Sequence, residues 1–150
     1  MSDTHVIKMR CNWEHGYPEG HGMMIGGAGE TEYGIPLELG GAPGRTNPEE
    51  MLLGAVMACN AITYAALAAR RGLEVTGYSM AGEIDIVTQP GGSLKVSAIR
   101  LMPEITIHGD DAALALAGDL TSKAEQLCMI SCAVRGNVEV TVHPEITRDS

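Results

Sequence analysis

The order of apolar and polar residues divides the chain into strand-like and helix-like stretches. Over residues 5–12, Ile7, Met9 and Cys11 alternate with Lys8 and Arg10, the two-residue period of a half-buried strand. Residues 13–30 are rich in Gly and contain Pro18, which predicts loop with a short strand near Met23 to Ile25. Alternation returns over residues 31–39 through Tyr33, Ile35, Leu37 and Leu39, and GGAPGRTN follows as loop. A helix then begins. Asn47 suits its cap, Pro48 its first position, and Glu50 completes a capping box with Asn47. Glu49 and Glu50 complement the positive helix end, Arg70 and Arg71 the negative end, and Gly72 the stop. Between these signals the segment is apolar nearly all round, which predicts a helix buried on most sides.

Residues 73–88 and 93–108 read as two long strands joined by a Pro90-Gly91-Gly92 turn. Asp110 and Asp111 open a second helix, apolar at Leu114, Leu116, Leu120, Ala124 and Leu127 and ending at Cys128. Gly136-Asn137 then punctuates, and VEVTVHPEI forms a last strand with Val138, Val140 and Val142 on one face. The order βββ–α–ββ–α–β, with strands in hairpins, predicts an α+β fold of antiparallel sheet packed on two helices. No repeat, low-complexity block or linker interrupts it, so residues 1–150 are expected to form a single domain.

Composition narrows the function. A net charge of −9 repels phosphate backbones, and the ten Lys and Arg form no run, which argues against a nucleic-acid partner. MSDTHVIKMR lacks the apolar core of a signal peptide. The apolar stretch within residues 51–69 is broken by Asn60, Thr63 and Tyr64 and flanked by charge, which favours a buried helix over a membrane span. A cytoplasmic protein with no membrane partner is expected. There, Cys11, Cys59, Cys128 and Cys132 point to catalysis or metal before structural disulfides. Phe is absent and nine Met are present, so Met and Ala fill the core and can line an adaptable apolar pocket.

Taken alone, Cys59 and Cys128 fit core positions. Cys128 and Cys132 share a face if their helix continues, and with a nearby His could suggest zinc. No second Cys pair or paired histidines complete four ligands at the usual spacing; His5, His15, His21, His108 and His143 are scattered. No resident metal or cofactor is expected. GAPGRTN lacks the ending of a phosphate loop, and neither a dinucleotide fingerprint nor a nucleophile-elbow serine occurs. The remaining chemistry is that of thiols.

Two segments carry a family resemblance. GRTNPEEMLLGAVMACNAIT resembles the OsmC/Ohr signature: an Asn-Pro-Glu helix start, an Ala/Leu-rich turn, then Ala-Cys, with the spacing from Glu49 to Cys59 matching. CMISCAVRGNVEV is similar to the family's Cys-x-x-Ser-x-x-x-x-Gly-x-Val pattern, with Cys128, Ser131 and Gly136 in the named places. The element order fits over nearly the whole chain. The resemblance implies an intertwined α+β homodimer with a central buried helix and active sites at the subunit interface. It implies that Cys59 attacks an organic hydroperoxide, or hydrogen peroxide, and becomes a sulfenic acid. Cys128 would then condense with it to a disulfide, which an external dithiol reduces, a lipoyl group in the organic-peroxide branch.

Physical chemistry adds conditions. A free Cys has a pKa of about 8.5, and burial raises it. Cys59 lies too far into its helix for the helix dipole to help. The resemblance implies an Arg from the N-terminal strand–loop region, held by the glutamate that Glu49 matches. Ten residues of helix span about 15 Å, so Glu49 cannot touch Cys59 of its own helix. The family's Ohr branch carries its Arg roughly thirty residues before the glutamate, and this chain has no Arg between Arg10 and Arg45. Arg10 is the first candidate and Arg45 the second; His15 and His21 are weaker sources of charge at neutral pH. Met129 replaces the usual Pro after the second Cys, Cys132 is a competing resolving thiol, and Asn60 suits the OsmC-like branches better than Ohr. Two other readings stand beside the peroxidase: a small-molecule binding or stress-response module on the same fold, and a sensor or metal protein using Cys128 and Cys132.

Overall fold

The computed structural model describes residues 3–149, and the chain forms two compact units, one ending at Met51 and one beginning at Leu52. In the N-terminal unit, β1 (Arg10–Cys11), β2 (His21–Gly26) and β3 (Gly29–Gly34) form an antiparallel sheet in that order. The strand expected over residues 5–12 shrinks to two residues, with Arg10 opposite Ile25 and Cys11 opposite Met24. The ladder turns irregular at Asn12, whose amide still donates to the Met23 carbonyl at 3.1 Å while its side chain accepts the Met23 amide at 2.8 Å and its carbonyl accepts the Tyr33 hydroxyl at 2.7 Å. The alternation of residues 31–39 also overstates its strand. β3 stops at Gly34, and after Pro36, which has no N–H to donate, Leu37–Leu39 turn as a short 3-10 helix.

Helix α1 (Pro48–Arg71) starts where the sequence places it, with the Asn47 side chain accepting the Glu50 amide at 2.8 Å. Only half of the expected capping box forms, because the Glu50 carboxylate takes the Thr46 hydroxyl at 2.9 Å instead. In the C-terminal unit, β4 (Glu74–Thr88) and β5 (Leu94–His108) pair antiparallel along their whole length. Gly91 and Gly92 close that hairpin at φ 95° and 88°, a region that suits glycine. Then follow α2 (Asp111–Leu127), α3 (Met129–Val134), β6 (Glu139–Val142) and β7 (Glu145–Arg148). Asp110 caps α2 by accepting the Ala113 amide at 3.0 Å.

The last stretch corrects the expected sheet. β6 and β7 both pair with β5 in parallel, in one register from Ala98 opposite Glu139 to Ile107 opposite Arg148. The C-terminal sheet is therefore mixed. A helical crossover of this length returns the chain in the direction of the strand it left, which a hairpin cannot do. Pro144 interrupts the edge strand, and the His143 amide keeps its register by donating to the Leu101 carbonyl at 2.8 Å.

Two apolar clusters pack α1 on this sheet. Val56 joins Ile99, Leu101 and Val138 in one; Tyr64 and Ala68 join Ile105, Ile107, Ala117, Leu120 and Ala124 in the other. The Tyr64 hydroxyl donates to the Ala117 carbonyl at 3.3 Å and ties α1 to α2. Gly82 lets the helix approach, since a Cβ there would lie 2.7 Å from the Met57 sulfur. The buried residues of α1 are Val56, Asn60, Tyr64 and Ala68, a single stripe four residues apart. That corrects the expectation of burial on most sides. Ala55, Ala58, Ile62, Ala65 and Ala66 lie exposed on the opposite face, Ile62 at 71%. The chain offers α1 one sheet face, and all-round apolarity exceeds what that face covers.

Leu101, fully buried between α1 and the β6 edge, tests the packing. Leu101→Ala is expected to lower stability by about 2–5 kcal/mol in urea unfolding. A loss under ~1 kcal/mol would show that this cluster does not anchor the sheet.

Candidate active site

Cys59 sits midway along α1, half-buried, and Cys128 lies at the junction of α2 and α3, fully buried. The sequence ends the second helix at Cys128, and the structure does so too, with a separate short helix beginning at Met129. The Cys128 amide still donates to the Ala124 carbonyl at 2.8 Å, ending α2, while its own backbone turns to φ −59°, ψ 115°. Its sulfur then accepts the Ser131 amide at 3.4 Å and so caps α3. The break leaves the Met129 and Ile130 amides free of helical partners, and both donate toward the Cys59 sulfur. Thr63, one turn beyond Cys59, gives its hydroxyl proton to the Cys59 carbonyl at 2.8 Å and also lies within reach of the sulfur.

These contacts divide the two thiols. Burial pushes the Cys59 thiol up, but the Ile130 amide, the Cys128 thiol, the Met129 amide and the Thr63 hydroxyl together outweigh it and leave Cys59 below its ordinary value. Burial pushes Cys128 up as well. Its Ser131 and Ile130 hydrogen bonds offset this only in part, and the hydrogen bond its thiol gives the Cys59 sulfur adds to the rise. Cys59 is thus the group that ionises first, and Cys128 remains the thiol that donates to it. A reactive sulfur with some access to solvent beside a buried donor sulfur can attack an electrophile and then be attacked in turn.

The remaining candidates each lie within one unit. Glu49 occupies the first turn of α1 with Oε2 buried and, among the described residues, without a hydrogen-bond partner. Arg10 is exposed on β1 of the N-terminal unit, and no guanidinium is among the groups that set the Cys59 ionisation. Arg45 is held by Glu32 at 2.9 Å. In the C-terminal unit Arg100 is tied to Asp85 at 2.7 Å, Arg135 to Glu125 at 3.2 Å and Arg148 to Asp111 at 2.7 Å. Cys132 is exposed; its sulfur accepts from Arg135 at 3.3 Å, so it shares a contact with a cation rather than with Cys59. Sequence reasoning missed the Met129 and Ile130 amides and Thr63. Amides carry no side-chain signal, and cysteine is not among the preferred capping residues that would have announced a helix start at 128.

A helix-borne, partly exposed thiol of lowered pKa, set against a buried thiol at a helix break on an α+β scaffold, defines a thiol-pair redox type of site. Residues 40–143 match the family of OsmC-like proteins. The chain is 37% identical to the uncharacterized protein YmaD of Bacillus subtilis (strain 168), over 97% of each chain. It is 35% identical to the organic hydroperoxide resistance protein of Xanthomonas axonopodis pv. citri, over 83% of this chain and 84% of that one. Its fold superposes with a TM-score of 0.73, at 26% identity, on a Legionella pneumophila structure described as an organic hydroperoxide resistance protein OsmC; the match covers 98% of this chain and all of the other. The protein belongs to the OsmC-like family.

Because hydrogen bonds to the charged form lower a pKa, removing one raises it. Cys128→Ala and Thr63→Val are each expected to move the pH midpoint of Cys59 alkylation upward, the former more. An unchanged midpoint in Cys128→Ala would show that the two sulfurs do not interact.

Proposed function

We propose that the protein is a thiol-dependent peroxidase that reduces organic hydroperoxides, with Cys59 as nucleophile and Cys128 as resolving thiol. The observation that carries this reading is the opposite displacement of the two thiols, Cys59 down and Cys128 up. The Cys59 thiolate attacks the outer oxygen of R–O–O–H, and the O–O bond breaks. The alkoxide leaves, taking a proton to become the alcohol, and Cys59 becomes a sulfenic acid. Oxidation removes the charge on Cys59. The thiolate acceptor that helped burial keep Cys128 protonated is then lost, while the hydrogen bonds from Ser131 and Ile130 remain. Cys128 therefore ionises more readily after the first step than before it, attacks the Cys59 sulfur and releases water. A dithiol of the lipoyl class would reduce the resulting disulfide by two thiol exchanges. The relatives named for organic hydroperoxide resistance support this substrate class.

The exposed stripe of α1 through Ala55, Ala58, Ile62, Ala65 and Ala66 supports a homodimer in which a second copy covers it. The cation that completes activation is assigned to Arg10, from the same chain or the partner. Glu49 offers a buried carboxylate oxygen without a partner among the described residues, the acceptor such a guanidinium needs. A second reading, a binding module on the same fold, rests on the sequence's departure from the Ohr placement of the Arg, since no Arg lies between Arg10 and Arg45.

Reduced protein treated with one equivalent of tert-butyl hydroperoxide, quenched by alkylation and mapped by peptide mass spectrometry, decides between the two. A rapid Cys59–Cys128 disulfide is expected, absent in Cys59→Ala, with hydrogen peroxide slower. Arg10→Ala is expected to slow Cys59 oxidation by at least about tenfold. Unoxidised Cys59 after minutes in folded dimer would leave the binding module; oxidation indifferent to Arg10 would keep the peroxidase and remove Arg10 from it.

A further inference from the structure

Away from the thiols, the hairpin joining β1 to β2 gathers Glu14, His15 and His21, with one possible ligand atom from each lying within 4.8 Å of the others. The backbone explains the convergence. Glu14 and His21 face each other across an antiparallel bridge, the Glu14 amide donating to the His21 carbonyl at 2.7 Å and the His21 amide to the Glu14 carbonyl at 3.1 Å. Directly opposed residues send their side chains to the same face. His15 comes next and would point to the other face if the strand continued. It instead adopts φ 64°, the one described non-glycine residue with positive φ. Its ring thereby stacks on His21, with centroids 5.4 Å apart and planes at 30°. A left-handed backbone at a residue with a side chain is sparsely populated, and its occurrence where two imidazoles and a carboxylate meet needs a cause.

The surrounding charges fit a cation. Nε2 of His21 lies 4.0 Å from a Glu14 carboxylate oxygen and 4.0 Å from one of Glu32, and Glu32 is already engaged by Arg45 at 2.9 Å. Glu14 is thus the carboxylate without a competing Arg. We propose that Glu14, His15 and His21 form a three-ligand site for a divalent ion of the zinc type, with two imidazole nitrogens, one carboxylate oxygen and the remaining positions open to water. Two neutral imidazoles and a single carboxylate suit zinc and its late transition-metal neighbours, whereas calcium and magnesium call for more oxygen ligands. Ligands at about 2.0–2.2 Å from one ion lie some 3–4 Å apart, so the three side chains need shift by only about an ångström to close on it. A net charge of −9 adds a favourable field. The site lies wholly within the N-terminal unit and shares no residue with the thiol pair.

The test uses full-length reduced protein, stripped with chelator, titrated with Co²⁺ and then with Zn²⁺ in competition. One cobalt per chain is expected at micromolar affinity or tighter, with ligand-field absorption and no thiolate-to-cobalt charge-transfer band. His15→Gly and His21→Ala are each expected to weaken cobalt binding by at least about tenfold. His15→Gly also separates function from strain. Glycine accepts φ 64° without penalty, so the variant folds at least as well as the parent by thermal melting while losing the ion. A parent that takes up no cobalt at millimolar concentration overturns the site. So does a thiolate charge-transfer band, which would place the ion on cysteine, or wild-type affinity in a folded His15→Gly.

Discussion

The active-site chemistry of this chain depends on a helix break at one residue. Were α2 to run on unbroken through Cys128, the Met129 and Ile130 amides would be spent on carbonyls four residues back. Because the chain turns at Cys128, those amides instead face Cys59 and offset the burial that would otherwise keep it protonated. The same turn aims the Cys128 sulfur at both the Ser131 amide and Cys59. One backbone irregularity therefore sets the position of the second thiol and the ionisation of the first. The sheet makes the arrangement rigid, since the α2–α3 crossover must return the chain parallel to β5 and α1 is clamped beneath it through Val56 and Tyr64.

α1 has two duties, and they use opposite faces. Val56, Asn60, Tyr64 and Ala68 fix it on the sheet, at the cost of leaving the Asn60 side-chain NH2 buried without a partner among the described residues. The Ala and Ile stripe on the other side is too apolar to favour water and too smooth to be a catalytic surface. Small residues let a second helix approach closely, so the face that does not serve the chain's own core is well formed for a copy of itself. Burial of that face would also raise the worth of every hydrogen bond on Cys59, because the same contacts act more strongly away from water.

Legibility followed the physics of each signal. The start of α1, both ends of the β4–β5 hairpin and the Asp110 cap came from side chains that act locally, and the structure keeps them to within a residue or so. Cys59 and Cys128 were legible through two sequence motifs that lie far apart in the chain. The parallel pairing of β6 and β7 was not, because a strand's apolar face says nothing of the direction of its neighbour. Nor were the Met129 and Ile130 amides, which every sequence possesses. The all-round apolarity of α1 predicts burial on most sides, and the single chain covers one stripe only, so the rest records more apolar surface than one chain covers. The short β1 shows the converse error: alternation at Ile7, Met9 and Cys11 is present, but residues 5–9 find no partner strand among the described residues.

The distribution of cations gives the last step. Arg100, Arg135 and Arg148 in the C-terminal unit are each paired with a carboxylate, and Arg45 in the N-terminal unit is paired with Glu32. A guanidinium already held in this way has little left to offer a thiolate, since its donors and its field are spent on its partner. The hydrogen bonds that lower Cys59 come from neutral groups, which stabilise a thiolate less than a cation would. Neutral donors suffice to order the two thiols, but the proposed peroxide reduction also needs the oxygen polarised as its bond breaks, and that calls for positive charge at the leaving oxygen. On the proposed reading the requirement is therefore for a cation beyond these four, the place assigned to Arg10 from the same chain or from a second copy. This makes ordering of the thiols a property of the C-terminal unit alone and turnover a property of the completed site.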